Sequence, residues 1–323
     1  MCTAVSFLTK DHYFGRNLDL EYTYDEAVVI TPRNYAFRFC NGTCLQNHYA
    51  MIGMATVADH YPLYYEATNE YGLSMAALNF PGNAKYMQPC IEKDNISPFE
   101  FIPWILCQRK TVHEAVPLLE RLNLIERPFN KEYGLTPLHW LLADRNTSLV
   151  IEPCTDGVRI HKNPVGILAN NPPFEYHIQN LSNYMNLTSA EPTNRFSNEI
   201  SILPYSRGMG AIGLPGDLSS ASRFIRAAFT KFNSVCCGDE NKSVSQFFHI
   251  LDSVSQTRGC ARVGDNYEIT VYSSCCNTDK GIYYYTTYDN RQITAIKMFE
   301  KNLEADKLYS VSLIKTQQIN YMN

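Results

Sequence analysis

The N-terminus of the chain carries residues that could together perform nucleophilic catalysis. Cys2 follows Met1 directly, and the segment FGRNLDLEY places Arg16 and Asp19 three residues apart at the end of the next predicted strand. Removal of Met1, which is usual before a small residue, would give Cys2 both a thiol and a free α-amine. Reference pKa values of about 8.5 for a thiol and about 7.7–8.0 for an α-amine lie near neutrality, so the amine can accept the thiol proton. One residue could then supply nucleophile and base.

Arg16 and Asp19 are candidates to support this chemistry. A guanidinium on the strand next to Cys2 would favour the thiolate over the thiol through its charge. Asp19 could accept hydrogen bonds from the ammonium form of the Cys2 amine and hold it in orientation. The same spacing also fits a solvated turn pair, and Cys2 could be a small buried residue of a first strand.

The composition excludes several classes of protein. The 323 residues are 45% hydrophobic and 19% charged, which is enough for a large core and excludes global disorder. A net charge of -4 and a pI near 6.1 give no basic footprint for nucleic acid or an anionic membrane. No apolar run of about 18 residues predicts membrane insertion, and no secretory signal is visible. We therefore expect a cytoplasmic protein.

The eleven cysteines do not form a recognisable disulfide or metal framework. Their number is odd, and two pairs, Cys236-Cys237 and Cys275-Cys276, are vicinal, which suits neither a disulfide scaffold nor the spaced pairs of a zinc site. We expect reduced thiols that act as small core residues, and the proposed chemistry requires neither a metal nor an organic cofactor.

Short β-rich runs recur along the chain and predict large sheets. CTAVSFL and YFGR, joined by the polar turn KDH, are typical of a hairpin. YAMIGMATV and GLSMAALNF are predicted to be buried strands, separated by an aromatic loop, DHYPLYYEATNEY.

Helix pairs interrupt the strands twice. Ser97, Pro98 and Glu100 form an N-terminal capping signature at the start of one predicted helix, SPFEFIPWILCQ. Thr111 with Glu114 repeats it at the start of the next, TVHEAVPLLERLNL. A second pair is predicted in SSASRFIRAAFTKFNSV and SVSQFFHILDSVSQ, and strands follow to the C-terminus. Strands, two helices, strands, two helices and strands predict two sheets between helix layers in one domain.

Eight segments resemble the choloylglycine hydrolases, N-terminal-nucleophile amidohydrolases that include bile salt hydrolases and penicillin V acylases. They are MCTAVSF, FGRNLDLEY, VVITPRNY, AALNFPG, LHWLLADR, GILANNP, GLPGDLSSASRFIRAAF and GIYYYTTYDN. The resemblance runs nearly from end to end and looks most like the bile salt hydrolases of Gram-positive gut bacteria. It implies an α+β fold, a four-layer αββα sandwich of two mainly antiparallel sheets between helix layers. It also implies one catalytic domain, residues 2–323, after loss of Met1.

The resemblance implies an active site of six residues: Cys2, Arg16, Asp19, Asn79, Asn170 and Arg223. Cys2 matches the nucleophile, Arg16 the arginine that supports the thiolate, and Asp19 the aspartate that orients the amine.

The other three matches lie further along the chain. Asn79 in AALNFP and Asn170 in LANNP match the asparagines associated with the oxyanion hole, and Arg223 in SASRF matches the second active-site arginine. Taken without the resemblance, Asn79 would be read as a turn residue and Asn170 as a loop residue. Losing one oxyanion donor typically costs about 10²–10³ in rate.

The chain departs from the family pattern at three positions. Ser74 and Ala77 stand where relatives more often have glycine, and Ala169 stands where a threonine usually precedes the active asparagine. An added Cβ could tighten backbone packing near the oxyanion hole, so these changes bear on rate rather than on reaction class.

The resemblance implies glycine- and taurine-conjugated bile salts, such as glycocholate and taurocholate, as substrates. Such a molecule needs an apolar groove for the steroid and a polar mouth for the amino-acid tail. Leu18, Ala58 and Tyr65 are the pocket candidates, although the aromatic loop could equally hold ordinary surface tyrosines that pack on a sheet.

Three alternatives remain at this point. A penicillin V acylase would use the same six residues, although the position of Asn79 tends to be tyrosine in a major group of those enzymes. A thioester intermediate would also allow transfer of the acyl group to an amine instead of to water. A non-catalytic binding protein on the same fold is the alternative from another class, and a Cys2→Ser variant separates it from an enzyme. Relatives suggest a homotetramer.

Overall fold

Two stacked sheets form the centre of the fold, and a computed structural model describes them within residues 1–322. The strands, in chain order, are β1 (Cys2–Leu8), β2 (His12–Leu20), β3 (Ala27–Thr31), β4 (Phe37–Arg38), β5 (Cys44–Leu45), β6 (Met51–Ala58), β7 (Tyr61–Asn69), β8 (Ser74–Asn79), β9 (Asp94–Ile96), β10 (Leu122–Leu124), β11 (Leu138–Ala143), β12 (Ser148–Cys154), β13 (Gly157–Lys162), β14 (Ile167–Leu168), β15 (Arg262–Val263), β16 (Asn266–Tyr267), β17 (Ile269–Asn277), β18 (Ile282–Thr287), β19 (Asn290–Lys297) and β20 (Tyr309–Ser312). The α-helices are α1 (Phe101–Leu106), α2 (Val112–Arg121), α3 (Phe174–Asn180), α4 (Ser220–Asn233) and α5 (Glu240–Asp252). Single 3₁₀ turns lie at Pro98–Glu100, Leu181–Tyr184, Met209–Ala211 and Met298–Glu300.

Both large sheets are antiparallel throughout. The six-stranded sheet has the order β14-β1-β2-β17-β18-β19, and the eight-stranded sheet has the order β13-β12-β11-β8-β7-β6-β3-β20. Helices α1 and α2 cover the outer face of the eight-stranded sheet, and α4 and α5 cover the outer face of the six-stranded sheet. The predicted αββα sandwich is confirmed.

Strand side chains alternate between two apolar layers, as the period of two in a strand requires. In β3, Val28 and Ile30 belong to the layer between the sheets, whereas Val29 faces the layer beneath α1 and α2. Strand β2 is buried on both faces because a helix layer covers one side and the second sheet covers the other.

The helix starts follow the capping residues. The Ser97 backbone N–H donates to the Glu100 carboxylate at 3.1 Å before α1, and the Glu114 N–H donates to the Thr111 hydroxyl at 3.2 Å in α2. The predicted second helix is too long, however. It ends at Arg121, because residues Leu122–Leu124 pair in parallel with β9.

The prediction of an aromatic loop in DHYPLYYEATNEY is wrong. Residues Tyr61–Asn69 form strand β7, which pairs with β6 and β8 inside the eight-stranded sheet. Asp59 and His60 have positive φ angles of 48° and 63°, as in the two-residue turns of tight hairpins. This turn lacks the usual Asn-Gly signature, so the sequence pattern did not reveal it.

No helix among the described residues has the length and apolar character needed to cross a bilayer.

Candidate active site

The β1–β2 hairpin places three of the predicted residues together. Cys2 is the first residue of β1 and pairs with Leu18 of β2, while Arg16 pairs with Ala4. Asp19 follows Leu18, and its backbone N–H donates to the Met1 carbonyl at 2.9 Å. Cys2 is 2% exposed, so its thiol lies in a protein-lined site rather than at a frayed terminus.

The two predicted asparagines join this hairpin from other parts of the chain. Asn79 ends β8 in the eight-stranded sheet, and Asn170 follows β14 at the edge of the six-stranded sheet. The Asn170 Nδ2 donates to the Asn79 carbonyl at 2.6 Å, and its Oδ1 accepts from the Cys2 backbone N–H at 2.7 Å. Asn170 therefore connects the two sheets next to the candidate nucleophile.

Arg223 completes this cluster from helix α4. It is fully buried, and its Nη2 donates to Asn170 Oδ1 at 2.8 Å. Its Nη1 donates to the Cys2 carbonyl and, at 2.6 Å, to the Thr3 hydroxyl. The Ser219 cap starts α4 just before this turn, and the hydroxyl of Ser220 accepts from the Asn170 backbone N–H at 2.7 Å. The start of α4 thus fixes both Arg223 and Asn170.

Arg16 is held by acceptors of the eight-stranded sheet. Its Nη1 donates to the carbonyl of Tyr65 at 3.1 Å and to the carbonyl of Ala77. Burial acts to lower the pKa of Arg16, but the charges of Cys2, Tyr272 and Glu66 raise it above its ordinary value. The guanidinium is therefore a permanent positive charge beside Cys2.

Glu66 on β7 is a functional candidate that sequence reasoning missed. Its carboxylate lies 3.9 Å from Arg16 Nε and accepts hydrogen bonds from the hydroxyls of Tyr272 at 2.7 Å, Ser274 at 2.9 Å and Tyr283 at 2.5 Å. Burial raises the pKa of Glu66 despite these partners. The signal available in the sequence was a carboxylate at an inward position of a strand, which the loop assignment concealed.

Asp19 has one satisfied and one unsatisfied oxygen. Its Oδ1 accepts from the Thr270 hydroxyl at 2.6 Å, whereas Oδ2 is buried without a partner among residues 1–322. Burial raises the pKa of Asp19, and the opposing charges of Arg223 and the N-terminal amine do not cancel this effect. While Met1 is present, its ammonium donates to the Asp19 carbonyl at 2.7 Å and to the Glu268 carboxylate.

A cleft of about 240 Å³ opens directly beside this cluster. Leu18 and Tyr65, two of the three pocket candidates, line it together with Cys2, Arg16 and Asn79. Aromatic side chains dominate the rest of its wall: Tyr22, Tyr24, Tyr64, Phe99, Phe129 and Tyr133.

Of the predicted residues Ala58 and Asn79, only Asn79 lines this cleft. Ala58, the third pocket candidate, ends β6 opposite Tyr61 and is not among the residues that line the cleft. Asn79 does line it, and its Oδ1 has no partner among the described residues, so its carboxamide is available to a bound molecule.

The three departures from the family pattern leave the cluster intact. The hydroxyl of Ser74 bonds that of Thr68 at 2.8 Å at the far end of β8, and Ala77 contributes its carbonyl to Arg16. Ala169 is fully buried and offers only its backbone next to Asn170. No additional polar group enters the site from these positions.

Within residues 1–322, no group of three or more His, Cys, Asp and Glu side chains is arranged to hold a metal ion. All eleven cysteines are free thiols. Burial raises the pKa of Cys276 to about 12 and raises the pKa of Cys275 well above its ordinary value, so these two are inert core residues. Cys2 is the one that lies with a guanidinium, a carboxylate and two carboxamides.

Comparison with known proteins gives a consistent result. Residues 2–311 match the family described as linear amide C-N hydrolases, choloylglycine hydrolase family. The chain is 49% identical over 324 residues to a bile salt hydrolase/transferase of Lactiplantibacillus plantarum, with 100% of both chains covered.

Solved structures agree with this match. The C2A mutant of the conjugated bile acid hydrolase from Clostridium perfringens has a TM-score of 0.92 and 35% identity, with both chains fully covered. A penicillin V acylase from Agrobacterium tumefaciens has a TM-score of 0.73 at 18% identity, covering 96% of this chain and 90% of its own, and so shares the fold.

Proposed function

The chain belongs to the choloylglycine hydrolase family of linear amide C–N hydrolases, and we propose that it cleaves the amide bond of glycine- and taurine-conjugated bile salts. The observation that carries this proposal is the convergence of Cys2, Arg16, Asn170 and Arg223 beside an aromatic cleft. The names of the full-length relatives supply the substrate class, and the cleft supplies an apolar surface that suits a steroid.

The reaction requires that Met1 be removed. The Cys2 amine then takes the thiol proton, and the sulfur attacks the amide carbonyl carbon. When the tetrahedral intermediate collapses, the carbon–nitrogen bond breaks, and the ammonium returns its proton to the departing glycine or taurine nitrogen. Water then hydrolyses the thioester, which releases the bile acid and restores the thiol.

Asp19 and Arg16 support opposite charges on Cys2. The unpartnered Oδ2 of Asp19 is the acceptor that an ammonium at Cys2 needs, and it is already buried beside the N-terminus. The Arg16 guanidinium stabilises the thiolate by charge. Arg223 binds the Cys2 carbonyl and so fixes the backbone from which the sulfur attacks.

Asn79 and Asn170 stabilise the oxyanion. The Asn79 carboxamide lines the cleft, so its NH2 group can donate to the oxyanion, and its unpartnered oxygen can accept from the N–H of the scissile amide. The Asn79 carbonyl is the single partner of Asn170 Nδ2 among the described residues, which leaves that amide one more N–H to donate. Removing one such donor costs about 10²–10³ in rate.

Amine release from glycocholate, taurocholate and penicillin V tests the proposal. The protein used should have an intact mass that confirms loss of Met1. We expect glycine and taurine to be released much faster than the penicillin V amine. Dominant cleavage of penicillin V would replace the substrate class, and no release from any of the three would reject the enzyme and favour a binding protein.

We also propose a cytoplasmic homotetramer. Eleven free thiols are typical of a reducing compartment. The segment from 196 to 212 exposes Phe196, Leu203 and Tyr205, and an apolar surface of this kind supports an interface between subunits. Sedimentation velocity tests the assembly, and a monomer at micromolar concentration would reject it.

A further inference from the structure

His139 lies between the two segments that carry the active-site asparagines. Its ring stacks on Phe80, with centroids 4.3 Å apart and ring planes 5° apart. On its other side, its Nε2 N–H donates to the carbonyl oxygen of Ala169 at 2.8 Å. Phe80 directly follows Asn79, and Ala169 directly precedes Asn170. One fully buried imidazole on β11 therefore contacts both segments.

Glu152 on β12 fixes the orientation of this ring. Its Oε1 accepts from His139 Nδ1 at 3.2 Å and from the Phe174 N–H at 3.0 Å. Burial acts to raise the pKa of Glu152, but His139 and His161 outweigh burial and lower it to about 2. Each ring nitrogen of His139 therefore has an oxygen partner, Nδ1 the Glu152 carboxylate and Nε2 the Ala169 carbonyl.

A second histidine binds the next carbonyl of the same segment. The Nε2 N–H of His177 donates to the Asn170 carbonyl at 2.8 Å, and its ring stacks on Phe224 with centroids 4.8 Å apart. The consecutive carbonyls of Ala169 and Asn170 are thus both bound by buried imidazoles. Of the two histidines, only His139 also contacts the residue after Asn79.

We propose that His139, oriented by Glu152, is a positioning residue that holds Asn79 and Asn170 at the spacing needed for oxyanion stabilisation. This inference rests on the proposed roles of the two asparagines. Asn79 ends a strand of the eight-stranded sheet, and Asn170, 91 residues later, follows a strand of the six-stranded sheet. The direct link between them is one hydrogen bond of 2.6 Å. A displacement of about 1 Å at a reacting centre can cost about 10²-fold in rate.

The test compares His139→Phe with His139→Gln. Phenylalanine keeps the stacking on Phe80 but removes both ring nitrogens, whereas glutamine keeps an N–H that can reach the Ala169 carbonyl. We expect His139→Phe to lower kcat on glycocholate about 100-fold with KM changed less than about threefold. The kcat of His139→Gln should be at least about tenfold higher than that of His139→Phe.

Alkylation of Cys2 by iodoacetamide separates positioning from a general loss of structure. This reaction needs the thiolate but no oxyanion hole, so its rate in His139→Phe should match that of the wild type. His48→Phe is the matched control, because His48 is also buried and its two ring nitrogens contact the carbonyls of Tyr49 at 2.8 Å and Tyr35 at 2.7 Å. It should keep the wild-type kcat.

Wild-type kcat in a folded His139→Phe variant would overturn the inference, as would a parallel loss of kcat and alkylation rate. If that variant does not fold, Glu152→Gln replaces it. We expect this variant to lose about tenfold in kcat at constant KM, and an unchanged kcat would contradict the inference.

Failure of this inference can be distinguished from failure of the proposed function. If the wild-type enzyme cleaves only penicillin V, the bile salt assignment is refuted, but the His139 variants can still be compared on that amide. If the wild-type enzyme cleaves neither bile salts nor penicillin V, both the proposed function and the inference about His139 are refuted.

Discussion

Replacing Arg223 by lysine tests whether its guanidinium serves the reaction or only the fold. The buried side chain donates to four oxygen atoms. These are the Leu218 carbonyl at 3.1 Å through Nε, the Cys2 carbonyl and Thr3 hydroxyl through Nη1, and Asn170 Oδ1 at 2.8 Å through Nη2. A lysine ammonium is a single nitrogen, so it cannot reach acceptors arranged around three separate nitrogens.

The size of the effect follows from these bonds. We expect at least two of the four acceptors to lose a charged donor, and hydrogen bonds to charged groups contribute about 1.5–3 kcal/mol each, so the free energy of unfolding should fall by about 3–6 kcal/mol. If one of the lost bonds is that to Cys2 or Asn170, kcat/KM should fall about 10- to 150-fold, because about 1.4 kcal/mol corresponds to a factor of ten.

Arg226, one turn further along α4, is the matched control. Its Nε donates to the Ser253 carbonyl at 2.9 Å and its Nη1 to the Pro215 carbonyl at 2.9 Å, away from Cys2. Arg226→Lys should therefore lower the unfolding free energy in urea but leave kcat/KM on glycocholate unchanged. Equal kcat/KM in Arg223→Lys and Arg226→Lys would refute the reasoning and make Arg223 a structural residue.

Three further outcomes are expected. Cys2→Ser should bind conjugated bile salts, measured by calorimetry, but lose turnover, and activity equal to the parent would remove Cys2 as nucleophile. Added amino acids should capture the thioester, so mass spectrometry should find new amides and reduced net deconjugation, and an unchanged product profile would contradict this. Burial lowers the pKa of His12 from about 6.5 to about 4, so the unfolded chain gains a proton that the folded chain excludes as pH falls through this interval. The free energy of unfolding should then decrease by up to about 3 kcal/mol between pH 6.5 and 4. In His12→Gln the urea midpoint should depend less on pH over this interval, and the same pH dependence as in the wild type would rule this explanation out.

Local patterns were sufficient to predict the parts of the site that lie on one hairpin. The β-rich runs CTAVSFL and YFGR and the short polar turn between them predict β1 and β2, and this pairing brings Arg16 and Asp19 beside Cys2. The helix starts at Ser97 and Thr111 could be predicted for the same reason, since a cap and its partner lie three residues apart.

Contacts between distant segments could not be derived from spacing. Glu66 reaches Arg16 and the tyrosines of β17 and β18 only because the two sheets stack, and nothing near Glu66 in the sequence encodes that packing. The link from Asn170 to Asn79 has the same origin, and the resemblance named both residues without predicting their hydrogen bond. The turn at residues 59–60 was missed because Asp-His is an unusual pair for two positive φ angles.

The polar atoms around Cys2 fall into two groups: atoms that are hydrogen-bonded within the protein, and atoms that have no partner there. The oxygen of the Asn170 carboxamide accepts two hydrogen bonds, and the guanidinium of Arg223 donates four, all within the protein. Asp19 Oδ2 and Asn79 Oδ1 are buried without a partner in the described chain, and an unpaired buried polar atom costs about 1–3 kcal/mol. Such a cost is expected where a bound group completes the pairing. Removal of Met1 would give Asp19 an ammonium partner, and a substrate amide in the cleft would give Asn79 its own, so the unsatisfied atoms mark the two positions where the reaction supplies what the fold leaves out.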